Sequence, residues 1–315
     1  MIIPDFLVLN EYGLYCRTGD FYLDPKMPVA RAIISHAHGD HAVPRNQNVH
    51  CTAPTADIME LRYKKNAGAN FMIHPYNQPF EINGVQISFI SAGHILGSAQ
   101  VLLEYEGIRY LFTGDYKLQS DNTCKAIEFV QADVLITETT FANPQVQHPD
   151  PVAEILKLNA SNHNILLGAY SLGKAQRLIS LISEHCPQRK VLVHHNILPI
   201  NKIYEKYDYL PGKYEPYNRK LMKQAQQDYV YLVPPITFDS YFRAKNVLKV
   251  FASGWKALQK YNDLELLISD HVDWNDILEM INQVKPQEIW TLHGDGNYLK
   301  SHFEGHLPIK LLNRC

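Results

Sequence analysis

The stretch Ser35-His36-Ala37-His38-Gly39-Asp40-His41 decides how the rest of this chain is read. It follows directly on Arg31–Ser35, an apolar run with the character of a short buried strand. A strand that ends in a tight turn, eased by Gly39, can aim His36 and His38 at one point in space. The same turn aims Asp40 and His41 at a second point close by. Neutral imidazole and carboxylate suit zinc or manganese, and the lack of thiolate leaves such ions Lewis-acidic.

One loop cannot complete a site for two ions, so further ligands are expected at other strand ends. His94 follows a strand ending at Ser91, in Gly93-His94-Ile95-Leu96-Gly97-Ser98. Asp115 follows Arg109–Thr113, in Thr113-Gly114-Asp115, and His293 follows Glu288–Leu292, in Leu292-His293-Gly294-Asp295. Each is a ligand-type side chain just past an apolar strand and next to a glycine that permits a close turn. Taken singly, each reads as an ordinary loop residue; the set of them, with the first cluster, reads as a metal centre.

The rest of the composition narrows the class. The chain has 315 residues, 46% hydrophobic and 20% charged, enough for one large or two medium globular domains. The beginning, Met1 to Phe6, lacks a basic stretch followed by an apolar run, and no apolar run is long enough to span a bilayer. A cytoplasmic protein is therefore expected. Cys16, Cys51, Cys124, Cys186 and Cys315 are scattered without a paired spacing, which argues against a disulfide framework or a cysteine zinc site. Overall charge is near neutral, with 30 basic against 32 acidic residues, but it is uneven. Residues 201–261 hold eleven Lys or Arg against five Asp or Glu, together with thirteen aromatics. Interleaved cations and rings serve single-stranded nucleic acid through phosphate neutralisation and base stacking; a solvated tyrosine-rich surface is the competing reading.

Periodicity sets out the elements. Phe6–Leu9, Gly13–Cys16, Arg31–Ser35, Val85–Ser91, Val101–Tyr105, Arg109–Thr113 and Val134–Thr137 read as strands, with a hairpin turn at Glu106-Gly107. Thr55–Lys65 reads as a helix capped by Thr55. After Pro151 the pattern alternates: helices over Pro151–Leu158, Gly173–His185 and Trp274–Val284, strands over Asn164–Leu167, Val191–Val193, Val230–Val233, Leu264–Ile268 and Glu288–Leu292. A β-rich first half with later α/β alternation implies two sheet layers flanked by helices, with an α/β insertion.

With these residues in place, the spacing resembles the metallo-β-lactamase superfamily, whose ligand motifs match His36, His38, Asp40 and His41, then His94, then Asp115. An earlier motif aspartate matches Asp24, with Asp20 as a rival; in that superfamily it orients the ligands. The resemblance sharpens to the β-CASP branch of nucleic-acid-processing nucleases. Glu138 matches its first branch motif, His271 in Ser269-Asp270-His271-Val272-Asp273 its second, and His293 its third. Within the branch, Gly13 to Pro25 and Phe251-Ala252-Ser253-Gly254-Trp255 are similar to bacterial ligase-associated DNA exonucleases.

This resemblance implies an α/β fold, an αββα sandwich over residues 1–163 and 263–315 with a short β-CASP-like cap at 164–262. It implies two divalent ions, Zn2+ favoured and Mn2+ an alternative. His36, His38 and His94 would hold one ion, Asp40, His41 and His293 the other, with Asp115 bridging. The catalytic residues would be Asp40, His271 as proton donor and Glu138 holding it. The expected activity is phosphodiester cleavage, on single-stranded DNA by whole-chain similarity. RNA is the alternative, because a histidine at the third motif is more usual in RNA-acting members. An ATP-dependent DNA ligase and a helicase are the expected protein partners.

Gly168-Ala169-Tyr170-Ser171-Leu172-Gly173-Lys174 imitates a nucleoside-triphosphate loop, but Ala175 stands where a magnesium-binding hydroxyl is needed. Lys174 and Ser171 are expected instead to hold a substrate phosphate at the helix start. A small-molecule thioesterase or lactonase shares the first histidine motif, and a ligand-less binding subunit is a third class; the filled positions at Glu138, His271 and His293 speak against both.

Overall fold

The turn residues that punctuate the first part of the chain separate strands of two sheets. In the computed structural model, β1 (Leu7–Asn10), β2 (Gly13–Cys16), β3 (Phe21–Leu23), β4 (Arg31–Ile33), β5 (Asn46–Cys51) and β6 (Gly68–Ile73) form a six-stranded sheet in that order. The structure describes residues 2–222, 228–241 and 246–312; Lys223, Phe242, Arg243, Lys245 and Cys315 lie outside them. β7 (Phe80–Ile82), β8 (Val85–Ser91), β9 (Ala99–Tyr105) and β10 (Ile108–Phe112) run as antiparallel neighbours, and β11 (Val134–Thr139) adds in parallel. Glu106 and Gly107, both at positive φ, make the two-residue turn between β9 and β10.

A third sheet follows, made of β12 (Asn164–Gly168), β13 (Lys190–Val193), β14 (Glu215–Pro216), β15 (Tyr229–Val233) and β16 (Val247–Phe251). Its order is β14-β13-β15-β12-β16 and every pairing is parallel. The chain then returns to the second sheet, where β17 (Glu288–Gly294) lies parallel to β11 and β18 (Ile309–Leu311) parallel to β17. The fold is thus mixed α/β.

Two compact units result. One comprises Met1–Ser120, Cys124–Gln147 and His271–Cys315, the other Asp121–Thr123 and His148–Asp270. In the first, a single apolar cluster joins Leu7, Leu14, Phe21 and Ile33 of the six-stranded sheet to Ile87, Val101, Tyr110 and Trp290 of the seven-stranded sheet. The other face of the seven-stranded sheet, with Leu102, Leu111 and Leu135, packs on Ile277, Met280, Ile281 and Val284 of the helix Trp274–Val284. That three-to-four-residue spacing is one helix face, and each such side chain contributes about 1.5–3 kcal/mol on burial. In the second unit, Ile155 and Leu158 share the cluster of Leu178, Ile179 and Ile182 with Ile165 and Val230. This packing is why that unit begins ahead of the strand at Asn164.

Seven of the described strands were not legible in the sequence: β3, β5, β6, β7, β14, β16 and β18. β5 reads Asn-Gln-Asn-Val-His-Cys, without alternation, yet it is a parallel strand between β4 and β6. The early helix starts at Ala53, with Thr52 at its cap position, and not at Thr55. Both hydroxyls donate to the Gly97 carbonyl, at 2.6 and 3.1 Å.

Leu264–Ile268 is not a strand. Its backbone groups are taken by side chains: Leu266 N–H donates to Gln259 Oε1, Leu267 N–H to Glu154 Oε2, and the Ile268 carbonyl accepts from Lys174. Leu266 and Ile268 are nevertheless buried, so the apolar pattern was genuine while the hydrogen bonds went elsewhere. Among the described residues, no helix is long and apolar enough to cross a membrane.

At the start of Trp274–Val284, Asp273 and Asp276 bond reciprocally to each other's backbone N–H. Burial and the neighbouring Asp273 push the Asp276 carboxyl up to about 6. A carboxyl that binds its proton more tightly folded than unfolded loses its stabilisation as pH rises between the unfolded and folded values. Asp276→Asn keeps an acceptor for the Asp273 N–H and removes the charge. Its stability advantage over the parent should grow by about 1 kcal/mol from about pH 5 to about pH 8, read from urea midpoints. An advantage independent of pH would refute this.

Candidate metal centre

β4 ends at Ile33, and the turn that follows carries His36 and His38 inward; His36 is fully buried. His94 comes from the turn between β8 and β9, and Asp115 from the turn after β10. Four donor atoms converge there. His38 Nδ1 lies 3.1 Å from His36 Nε2 and 3.1 Å from His94 Nε2, while Asp115 Oδ2 lies 3.5 Å from His36 Nε2 and 3.8 Å from His94 Nε2. Tetrahedral zinc with bonds of roughly 2.0–2.1 Å sets its ligand atoms about 3.3 Å apart. The donor chemistry and the spacing therefore fit such an ion.

Gly114 makes this approach possible. Its φ is +54°, and a Cβ there would sit within 2.8 Å of the Ser35 side chain. Ser35 itself was not singled out as a site residue, yet it organises the centre. Its hydroxyl donates to Asp24 Oδ2 at 2.5 Å and lies 2.9 Å from His36 Nδ1, and its N–H donates to Asp24 Oδ1. Asp24 Oδ2 also meets His41 Nδ1 at 2.8 Å, which turns His41 Nε2 toward Asp115 Oδ2 at 3.4 Å. Asp24, not Asp20, is the aspartate at the centre: Asp20 accepts from Tyr15 on the exposed side of its strand. The one cue for Ser35 was its place directly before His36.

Electrostatics favour positive charge here. Burial pushes His36 well below the ordinary histidine range, and His41 adds to this. Burial opposes charge on His41, but Asp115 and Asp24 outweigh it and hold its imidazole well above that range. Burial likewise works against ionised Asp115, yet the surrounding His41 and His271 keep its carboxyl well below the usual range. A buried carboxylate ringed by imidazoles is a setting that a divalent cation would satisfy.

Asp115, Glu138 and His271 form an adjoining group. Glu138, at the end of β11, is buried and fully occupied: Oε1 accepts from Tyr116 N–H, Oε2 from the Thr140 hydroxyl, and Oε2 lies 2.9 Å from His271 Nδ1. With an acceptor at Nδ1, that nitrogen carries the proton and Nε2 is the nitrogen left to act.

His293 owes its position to a bulge. Glu138 pairs with Leu292 and Thr139 with Gly294, so His293 has no partner in β11 and is set out of the ladder. Its φ is +51°, a left-handed conformation uncommon outside glycine. Its ring centroid lies 4.9 Å from that of His41.

Other expected residues are less tightly placed. The Asp40 side chain is 75% exposed, with Oδ2 3.8 Å from His41 Nε2. A cavity of about 840 Å³ opens beside it, lined by Asp24 and His293 together with Leu9, Leu14, Leu23 and Phe112. Lys174 is not placed to meet a phosphate. It is buried, donates to the Ile268 carbonyl at 2.5 Å and pairs with Asp270 at 3.1 Å. The sequence could not reveal this, because Asp270 is distant in the chain. Ser171 remains half-buried in the loop before the helix Lys174–His185.

No protein-family model matches the chain. It is 31% identical over 301 residues to a protein of Opitutus terrae named probable DNA ligase, covering 90% of this chain and 29% of that protein. It is 27% identical over 212 residues to an RNase J-like protein of Methanocaldococcus jannaschii, covering 58% of this chain and 50% of that one. The chain thus spans half or less of these relatives. A solved structure, a protein of unknown function from Enterococcus faecalis V583, aligns with a TM-score of 0.62 at 15% identity, over 90% of this chain and 79% of that one. Fold and histidine cluster together define a chain of the metallo-β-lactamase superfamily. Within it, the chain belongs to the β-CASP branch.

Gly294 sits at φ +137°, and a Cβ there would collide with the Thr139 carbonyl. Gly294→Ala should therefore cost about 2–4 kcal/mol in a denaturant titration. A variant as stable as its parent would show that β11 and β17 do not constrain this turn.

Proposed function

We propose that this chain is a metal-dependent phosphodiesterase that cleaves nucleic acid, acting on single-stranded DNA as an exonuclease. The observation that carries this reading is His271, hydrogen-bonded to buried Glu138 and 3.8 Å from the Asp115 oxygen shared by the histidine cluster. A proton donor stands beside a group of cation ligands, which is what hydrolysis with a poor leaving group needs.

On this reading His36, His38 and His94 hold one divalent ion and Asp40, His41 and His293 a second, with Asp115 between them and Asp24 orienting His41. Zinc suits these donors, and manganese is the alternative. Bound there, such ions supply Lewis acidity toward the phosphodiester and lower the pKa of a water molecule. The chain's own part is positional. The cluster fixes the reacting phosphate; water oxygen attacks phosphorus as the bond to the departing nucleotide oxygen breaks. His271, protonated on both nitrogens beside the Glu138 carboxylate, gives that oxygen its proton from Nε2 while Glu138 keeps Nδ1 in place; the proton the attacking water gives up then restores Nε2. We read residues 1–163 and 263–315 as the αββα sandwich and 164–262 as the cap; the compact unit that contains the cap runs from His148 to Asp270.

None of these groups needs a 2′-hydroxyl, so the sugar preference rests on relatives. The ligase-named protein matches 90% of this chain and supports DNA, with a DNA ligase as working partner. The RNase J-like protein supports RNA as the second reading.

Matched single-stranded DNA and RNA, end-labelled and incubated with zinc or manganese, test this. DNA should shorten progressively and RNA should persist. His271→Ala should lower the rate at least ~100-fold while leaving bound zinc unchanged by metal analysis. His38→Ala should lose about one equivalent of zinc. Preferential cutting of RNA would replace the DNA reading, and failure to cut either polymer with metal bound would overturn the nuclease reading.

A further inference from the structure

Only part of the aromatic surplus in residues 201–261 is available to a ligand. Tyr204, Tyr229 and Tyr231 are core residues, and Tyr217 stacks on Tyr231 with ring centroids 3.9 Å apart. Two exposed rings of the second unit leave the same end of the parallel sheet; Tyr261, more exposed still, stands further along the chain under the Lys260 ammonium. Tyr170, two residues past β12, is 56% exposed, and Trp255, four residues past β16, is 50% exposed. β12 and β16 are hydrogen-bonded neighbours with Gly168 opposite Phe251, and the Ala252 N–H extends the ladder to the Gly168 carbonyl. Both rings therefore rise from the carboxyl edge of adjacent strands, the edge where open parallel sheets receive ligands.

The support beneath Tyr170 is built. Its ring packs edge-on to Phe251, centroids 6.4 Å apart, and Phe251 is backed by Phe238 at 5.5 Å. Gly168 makes room for this stack, since a Cβ there would run into both phenylalanine rings. The Tyr170 ring is thus braced on one side and open on the other, which lowers the entropy cost of adding a flat partner.

Charge points to what that partner is. Residues 148–270 hold sixteen Lys or Arg against eleven Asp or Glu, although the whole chain has 30 against 32. Beside Trp255, Lys256 and Lys260 are exposed, and there is no acid from Gly254 to Asn262. Half-exposed rings near cations match a chain of flat bases joined by phosphates, and stacking is indifferent to base and sugar.

We propose that the carboxyl edge of the five-stranded sheet is a base-stacking platform for single-stranded nucleic acid, with Tyr170 and Trp255 as its stacking rings. This rests on the nucleic-acid reading above and adds the residues that grip unpaired bases.

Binding can be measured apart from cleavage. The full-length protein would be titrated, without added metal, with a fluorescently end-labelled homothymidine strand and with an abasic strand of equal length. Trp274 and Trp290 are buried, so a partner stacking on Trp255 should quench the protein's exposed-tryptophan emission. The base-bearing strand should quench and bind at least ~5-fold more tightly than the abasic strand. Tyr170→Ala and Trp255→Ala should each weaken binding of the base-bearing strand by about 5- to 100-fold and barely change the abasic strand. Tyr170→Phe, which keeps the ring and its support, should bind as the parent does, and this guards against loss through misfolding.

Equal affinity for both strands, or base-bearing binding untouched in Tyr170→Ala and Trp255→Ala, overturns the platform. If such preparations still shorten DNA once zinc is supplied, the nuclease reading survives without it. A change of self-association in these variants, with strand binding intact, assigns the rings to a second copy of the chain and also overturns the proposal.

Discussion

One buried carboxylate oxygen organises this protein. Asp115 Oδ2 lies 3.4 to 3.8 Å from ring nitrogens of four histidines: His36, His41, His94 and His271. An ionised carboxylate in so little water needs compensation, and it draws His41 toward its charged form while burial holds His36 toward the neutral one. The turns after β4 and β8 bring His36, His41 and His94 within reach, and His271 comes from just ahead of the helix Trp274–Val284. The demands on the backbone are correspondingly severe, and they are met by a glycine beside Ser35 and by a bulge that frees His293 from its ladder.

Three of the functional rings are supported in the same way, with one nitrogen met by a neighbouring oxygen so that the other is directed. Asp24 takes His41 Nδ1, Ser35 approaches His36 Nδ1, and Glu138 takes His271 Nδ1. Fixing one nitrogen selects the tautomer and the rotamer together, so little freedom is lost when a ligand arrives. The two carboxylates that do this are themselves buried and saturated with donors, which keeps them from turning toward the cluster.

The second unit spends its buried charge differently. Lys174 and Arg177 both pair with Asp270 and donate to the carbonyls of Ile268 and Ser269. These cations serve a stretch of backbone that has no strand partner. A lysine at a glycine-rich helix start looked suited to a phosphate, but its ammonium is a structural donor. Removing one partner of such a buried pair leaves the other uncompensated, so the network acts as a unit.

The local sequence marked His36, His38, His41, His94, Asp115 and His293 as candidates, because each stood at the end of an apolar run; Glu138 and His271 were marked by the family resemblance. It was also enough to place Val85–Ser91, Gly13–Cys16 and Trp274–Val284, where periodicity is strong. It could not reveal β5, whose polar residues become a strand because parallel neighbours take its backbone groups. Nor could it show that Leu264–Ile268 would be served by Gln259, Glu154 and Lys174 in place of a ladder. It did not separate the buried tyrosines of the basic segment from Tyr170 and Trp255. Residue type and spacing report what a side chain can do, and they do so locally. Which backbone groups are already paired, and which cations are already neutralised, depends on partners a hundred residues away in some cases (Lys174 and Ile268 are 94 apart), and only the folded chain brings these together.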